Sequence, residues 1–198
     1  MRSLFIRSIV VTAVLVIVIC GFYPIMVTIL AQIAFSGRAN GSLIEKSGKV
    51  IGSELIGQAF SRPEYFHGRP SAAGDKGYDA ANSSGTNFGP TNKKLADGVK
   101  AGIDRVMKEN SSVKIGEIPV ETVTASASGL DPHISPEAAM MQVERIYRAR
   151  NADPEKIKTM IIEQTEDRTL GMLGEKRVNV LLLNLKLDKE APVAAVSR

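Results

Sequence analysis

Cysteine occurs once in the 198 residues, at Cys20, which excludes an intrachain disulfide and any zinc or iron–sulfur site built from several thiolates. Tryptophan is absent and aromatic residues make up only 5%, too few for an aromatic ligand cage. The two histidines, His67 and His133, lie far apart with no His-Glu-x-x-His, so no dedicated metal site is expected. No block of five or six like charges occurs, and 25 Lys+Arg against 21 Asp+Glu leave a net charge of only +4. Nothing there calls for a nucleic-acid partner. Charge itself is missing from one place: between Arg7 and Arg38 there are 30 consecutive uncharged positions.

That gap holds the long apolar run. Between Ile9 and Ala34 stand 15 Ile, Val, Leu or Phe residues. At roughly 0.3–0.6 kcal/mol each they favour insertion by about 4–9 kcal/mol, less the cost of Thr12, Pro24, Thr28 and Gln32. A membrane span needs about 20 apolar residues, and a single segment in lipid satisfies its backbone only as a helix. A transmembrane helix is therefore expected over residues 8–35, behind a cytoplasmic N-terminus of residues 1–7, with Pro24 as a kink point. A cleaved signal peptide would have a shorter apolar core, about 7–15 residues, and Ala31-Gln32-Ile33-Ala34 makes a poor cleavage site. Ile19 stands where a lipid-anchored Cys20 would need a small residue. Arg2 and Arg7 favour an N-terminus inside and the rest outside, although Arg38, Lys46 and Lys49 beyond the run weaken that bias.

Residues 36–198 read as one mixed α/β (α+β) extracytoplasmic domain, long enough to bury a core without disulfides. Ser42–Glu45 and Lys49–Ile51 predict a hairpin around Lys46-Ser47-Gly48. Ser53–Phe60 predicts a short helix. Leu95, Val99, Ile103, Val106 and Met107 predict a helix over Thr91–Glu109 with Thr91 as its cap. Alternation over Pro119–Ala125 predicts a strand. Ser135-Pro136-Glu137 and Asp153-Pro154-Glu155 are helix starts, the first followed by Met140, Val143, Ile146 and Tyr147, the second by Ile157, Met160 and Ile161. The Leu- and Val-rich run Arg177–Leu187 predicts a strand buried on both faces, within which Asn179 and Asn184 need partners. Lys189–Arg198 reads as a loose tail.

Two stretches fit no regular element. Arg62–Asn92 carries Tyr65-Phe66-His67-Gly68-Arg69-Pro70-Ser71 and then a run of Asn, Ser, Gly and Thr. So long a segment without period is a binding surface or a packed loop whose polar side chains satisfy its own backbone. Thr124–Pro136 gathers Ser126, Ser128, Asp131 and His133. As a hydrolase, Ser126 or Ser128 would be the nucleophile and His133 the base, but no Gly-x-Ser-x-Gly elbow is present, and an Asp-Pro turn before a capped helix is the favoured reading. No phosphate loop ending in Gly-Lys-Ser/Thr occurs, and no convergent charged pocket supports a small-ligand module.

The same stretches carry a resemblance. Tyr65–Ser71, Ser83-Ser84-Gly85-Thr86-Asn87 with Gly89-Pro90-Thr91-Asn92, Thr124–Pro136, and Leu173-Gly174-Glu175 with Arg177–Leu181 resemble the C subunit of the Kdp-type potassium-transporting ATPase, in the right order over nearly the whole chain. The resemblance implies a non-catalytic accessory subunit of a high-affinity, ATP-driven potassium importer in the cell membrane, needed for assembly. Its partners would be the potassium-conducting subunit, the P-type ATP-hydrolysing subunit and the lipid bilayer. It implies a role as a catalytic chaperone raising the pump subunit's ATP affinity, and ATP binding is implied by the resemblance alone. His67, Arg69, Asn92, Asp131 and His133 are the expected partner-contact residues. The alternative is a membrane-tethered extracytoplasmic serine hydrolase.

Overall fold

Without a charge for 30 positions, the N-terminal segment has nothing to interrupt a helix except Pro24. The computed structural model, which describes residues 1–193, has one helical rod over Arg2–Ala39, long and apolar enough to cross a membrane. It consists of α1 (Arg2–Val16), a π-helical turn (Ile17–Phe22) and α2 (Tyr23–Ala39). The irregularity expected at Pro24 is taken up just before it. A proline has no N–H for the carbonyl four residues back and its ring collides with that carbonyl, and the wider π turn makes room for both. Phe35 departs from helical geometry near the other end. None of the side chains in α1, the π turn or α2 is buried, and the rod outruns the expected 8–35 at both ends.

The hairpin follows as expected, β1 (Leu43–Lys46) and β2 (Lys49–Ser53) pairing across Ser47 and Gly48. Both turn residues have positive φ, 54° and 74°, which is the two-residue turn whose twist matches paired strands. The rod and the hairpin as far as Ile51 make up one compact unit, and the described residues from Gly52 onward the other.

In the second unit the expected helix at Ser53–Phe60 is replaced by turns. Ser53 Oγ takes the Leu55 N–H, and Gly57 lies flat on a neighbouring loop, its N–H donating to Leu130 O at 2.9 Å. A Cβ there would sit 2.5 Å from Asp131 O. Helix α3 (Lys93–Glu109) starts one residue later than expected, because Asn92 rather than Thr91 accepts from Lys94 N. Pro119–Ala125 is not a strand. Its Thr122 and Thr124 hydroxyls donate back to Pro119 O and Val120 O, closing a 3-10 turn over Val120–Thr122.

The capped starts hold. Ser135 Oγ accepts from Ala138 N to begin α4 (Pro136–Met141), and Asp153 accepts from Glu155 N to begin α6 (Pro154–Glu163). Between them lies α5 (Val143–Arg150), ended by Asn151 in the left-handed conformation. A three-stranded antiparallel sheet links β3 (His133–Ile134), β4 (Thr165–Glu166) and β5 (Arg177–Asn179) in the order β3-β5-β4. The run after Arg177 is a strand for three residues only and then α7 (Val180–Glu190). Asn179 turns one into the other, its Oδ1 accepting from Leu182 N and its Nδ2 donating to Glu54 O. Val180, Leu181, Leu183, Asn184 and Leu187 face inward, a helical rather than alternating spacing. Lys189 and Glu190, expected in the tail, belong to this helix, while residues 194–198 of the expected tail lie outside the described residues.

The core is built where α4, α5, α6 and α7 meet the sheet. Ile134, Ala138, Val143, Ile146, Ile157, Met160, Ile161, Val178, Leu183 and Leu187 fill it, and Phe66 from the long loop joins them fully buried. Met140 and Tyr147 pack only partly buried against it.

Candidate functional site

Phe66 is buried in a segment with no secondary structure, so its main-chain groups need partners from elsewhere. Two amides supply them. Asn184 on α7 accepts from Phe66 N at 2.8 Å and donates to Phe66 O at 3.0 Å. Gln142 between α4 and α5 does the same for His67, at 2.8 and 3.1 Å. Arg145 donates to the carbonyls of Pro63 and Tyr65, and buried Arg150 to those of Glu64 and Ala191 and to Asp188. Side chains from helices thus take the place of a neighbouring strand for residues 63–67. Burial alone lowers the Arg145 pKa, partly offset by Glu109 and Glu64.

Beyond His67 the loop fastens onto the second irregular stretch. Ser71 Oγ donates to Gly129 O at 2.6 Å and accepts from Tyr78 N, while Tyr78 Oη donates to Arg69 O at 2.6 Å. Ser126 N donates to Pro70 O, and the Ser84 N–H and the Ser83 hydroxyl to Ser128 O. Gly129 is held at φ +68°, where a Cβ would lie 2.6 Å from Ser84 O. Burial raises the Tyr78 pKa, with Asp131 adding to it, so the phenol stays a donor. Arg62–Asn92 is thus a packed, ordered loop, and together with 124–136 it forms one surface.

On that surface Arg69 Nη1 stands 3.1 Å from Asp131 Oδ2. The other carboxylate oxygen, Oδ1, accepts from His133 N at 3.0 Å and faces His133 Nδ1 at 3.7 Å, a contact too long for a hydrogen bond. Burial alone would raise the Asp131 pKa, but the His133 ring, its N–H and the Arg69 guanidinium hold it below the usual carboxylate range. Arg69 Nε is buried without a hydrogen-bond partner among the described residues. Arg69, Asp131 and His133 are therefore brought together. His67 is not part of this cluster: its ring meets Glu109 at 3.2 Å and Arg62 O at 3.0 Å. The bond from His67 holds the Glu109 pKa low against the effect of its partial burial. Asn92 stands apart as the cap of α3.

Two clefts flank the surface. One, about 740 Å3, runs from Asp131 and His133 to Arg168, Glu175, Lys176 and Arg177. The other, about 420 Å3, holds His67, Arg69, Lys76 and Arg105 against Glu109, a convergence of charge that sequence reading did not anticipate. Neither serine meets the histidine. Ser126 is buried, Ser128 Oγ accepts from Leu130 N, and no serine hydroxyl bonds to His133 among the described residues. The nucleophile–base contact of a hydrolase is not assembled.

A nucleotide would need a cradle for phosphate. Helices α3, α4, α6 and α7 each begin on their own side-chain cap, Asn92, Ser135, Asp153 and Asn179. Each spends one N-terminal N–H on that cap, and no glycine-rich loop opens any of them.

A family model described as K+-transporting ATPase, c chain, matches residues 5–189. The chain is 54% identical over 167 residues to the potassium-transporting ATPase KdpC subunit of Herpetosiphon aurantiacus, covering 84% of this chain and 86% of that one. With the KdpC subunit of Nitratidesulfovibrio vulgaris it shares 49% over 188 residues, 95% of each chain, and with that of Koribacter versatilis 47% over 193 residues, 98% of each.

Proposed function

The chain belongs to the KdpC family, the c chain of K+-transporting ATPases, and from that membership we propose that it is a single-span, non-catalytic subunit of a potassium importer. The observation that carries this reading is the match across both the apolar rod and the body, including the two stretches that fasten together into one surface. In this reading the rod packs among helices of the partner subunits and the body docks on the outer face of the potassium-conducting subunit. The surface carrying His67, Arg69, Asp131 and His133, with Asn92 at the end of its long loop, makes the contact.

Stabilising the assembly is then the main task. A chaperone effect on the ATP affinity of the hydrolysing subunit would be exerted through the complex, as coupling between two states of the pump. In this reading no step is routed through ATP held by this chain.

Purification from mild detergent through a tag on this chain tests the reading. The expected result is recovery of two larger subunits, the potassium-conducting and the ATP-hydrolysing one, and growth failure of a deletion strain only at low external potassium. Recovery of the chain alone, with growth unaffected by potassium, would overturn it.

A further inference from the structure

Strands β4 and β5 pair at their base, Thr165 with Val178 and Glu166 with Arg177, and then run on as an arm. Glu166 bonds Arg177 at 2.9 Å, Lys176 meets Asp167 at 2.9 Å, and Arg168 meets Glu175 at 2.5 Å. These three successive pairs use every charged side chain between residues 166 and 177. The tip, Thr169-Leu170-Gly171-Met172-Leu173-Gly174, is uncharged. Thr169 and Leu173 bridge across it by two reciprocal N–H to carbonyl bonds of 2.9 Å. Leu170, Gly171 and Gly174 all have positive φ, and the turn presents Leu170, Met172 and Leu173 outward, 82%, 74% and 59% exposed.

We propose that this arm, residues 165–177, is a plug that inserts Leu170, Met172 and Leu173 into an uncharged apolar pocket on another subunit of the potassium-transporting ATPase. The proposal rests on the assembly reading above and adds a second contact to it. Chemistry selects the occupant. An anionic lipid surface would be met by free Lys or Arg beside the apolar residues and by Trp or Tyr at the boundary. Here both cations nearest the tip, Arg168 and Lys176, are matched by acids of the same arm, so the arm offers an anionic surface no excess positive charge, and the tip has no aromatic residue. The reciprocal Thr169–Leu173 bonds close the turn with Leu170 in the left-handed region, a defined backbone that presents the side chains and suits a shaped protein pocket rather than fluid acyl chains. The stem also lines the 740 Å3 cleft that reaches Arg69, Asp131 and His133. Stem and cluster therefore share one cleft, and the apolar tip stands at the end of that stem, an apolar anchor next to a polar patch, as interfaces are commonly built.

The experiment compares the tagged full chain with two double variants, Leu170→Ser/Met172→Ser at the tip and Arg69→Gln/Asp131→Asn at the cluster, each purified in detergent from cells carrying the whole complex. Failure of the unaltered chain to recover partner subunits would overturn the assembly reading and this proposal with it. With recovery established, the tip variant is expected to lose partners at least tenfold, with an unchanged thermal melt of the purified chain. Wild-type recovery by the tip variant overturns the plug while leaving the assembly reading standing. A photo-crosslinking amino acid at position 172 gives a readout independent of folding. Crosslinks to a larger subunit support the proposal, whereas crosslinks only to lipid or to a second copy of this chain overturn it.

Discussion

Asn184 and Gln142 do for the loop what a neighbouring strand does elsewhere, each closing a two-bond ring on one buried residue. An Asn184→Leu side chain keeps the same branched heavy-atom skeleton but leaves the Phe66 N–H and C=O without partners. Unsatisfied buried groups cost about 1–3 kcal/mol each, so the variant should lose about 2–6 kcal/mol. A lowered denaturant midpoint of the detergent-solubilised chain checks this, and a midpoint equal to the unaltered chain would refute the role. Acid should loosen the same surface. The folded Asp131 and Glu109 carboxyls both lie below their unfolded values. Each contributes stability that is fully present above the unfolded pKa, about 4, and is lost as pH falls through the lower folded value. Stability should therefore fall below about pH 4, and Asp131→Asn should flatten that limb of a melting-temperature profile, whereas an unchanged limb would exclude Asp131 as a contributor.

Among elements, those announced by a cap were legible. Ser135-Pro136 and Asp153-Pro154 start helices because the hydroxyl or carboxylate accepts the first free N–H and the proline has none to waste. The run Val178–Leu187 was not, since a continuous apolar stretch has the same composition as a buried strand or a buried helix. Its resolving signal was Asn179, a capping residue read as an interruption. Val120–Thr124 misled because threonines in alternation suit a strand equally well as hydroxyls that bond back to carbonyls. The candidate surface was half legible. Its two stretches stood out for lacking a period, but that they fasten to each other depends on Tyr78, Ser71 and Gly129 meeting through the fold. Asn184 stood out only as a polar residue in an apolar run, and Gln142, Arg145 and Arg150 carried no local mark at all. The cap at α7 is testable: Asn179→Ala removes the bonds to Leu182 N and Glu54 O and should cost about 1–2 kcal/mol, read as loss of thermal stability. An unchanged melt would mean that the β5–α7 corner holds without its cap.

At the scale of the whole molecule, the sidedness of the body decides what it can touch. A body inside the cell could meet ATP and the hydrolysing machinery directly, whereas one outside reaches only the outer faces of its partners. The flanking charges set Arg2 and Arg7 against Arg38, Lys46 and Lys49. Charges at the head of a long following domain weigh less in orientation than those of a short leading segment, so the leading arginines should hold the N-terminus inside. The lone cysteine makes the test clean, because Cys20 lies in the apolar rod and a Cys20→Ser background leaves no thiol on the body. Into it, Ser112→Cys adds a single exposed thiol in the turn after α3. A membrane-impermeant maleimide added to intact spheroplasts should label this variant fully, and disruption of the membrane should add nothing. Labelling only after disruption would place the body inside and remove the outer-face docking. It would also leave the arm at 165–177 facing cytoplasmic surfaces of the pump, so one thiol discriminates between two incompatible sets of partners.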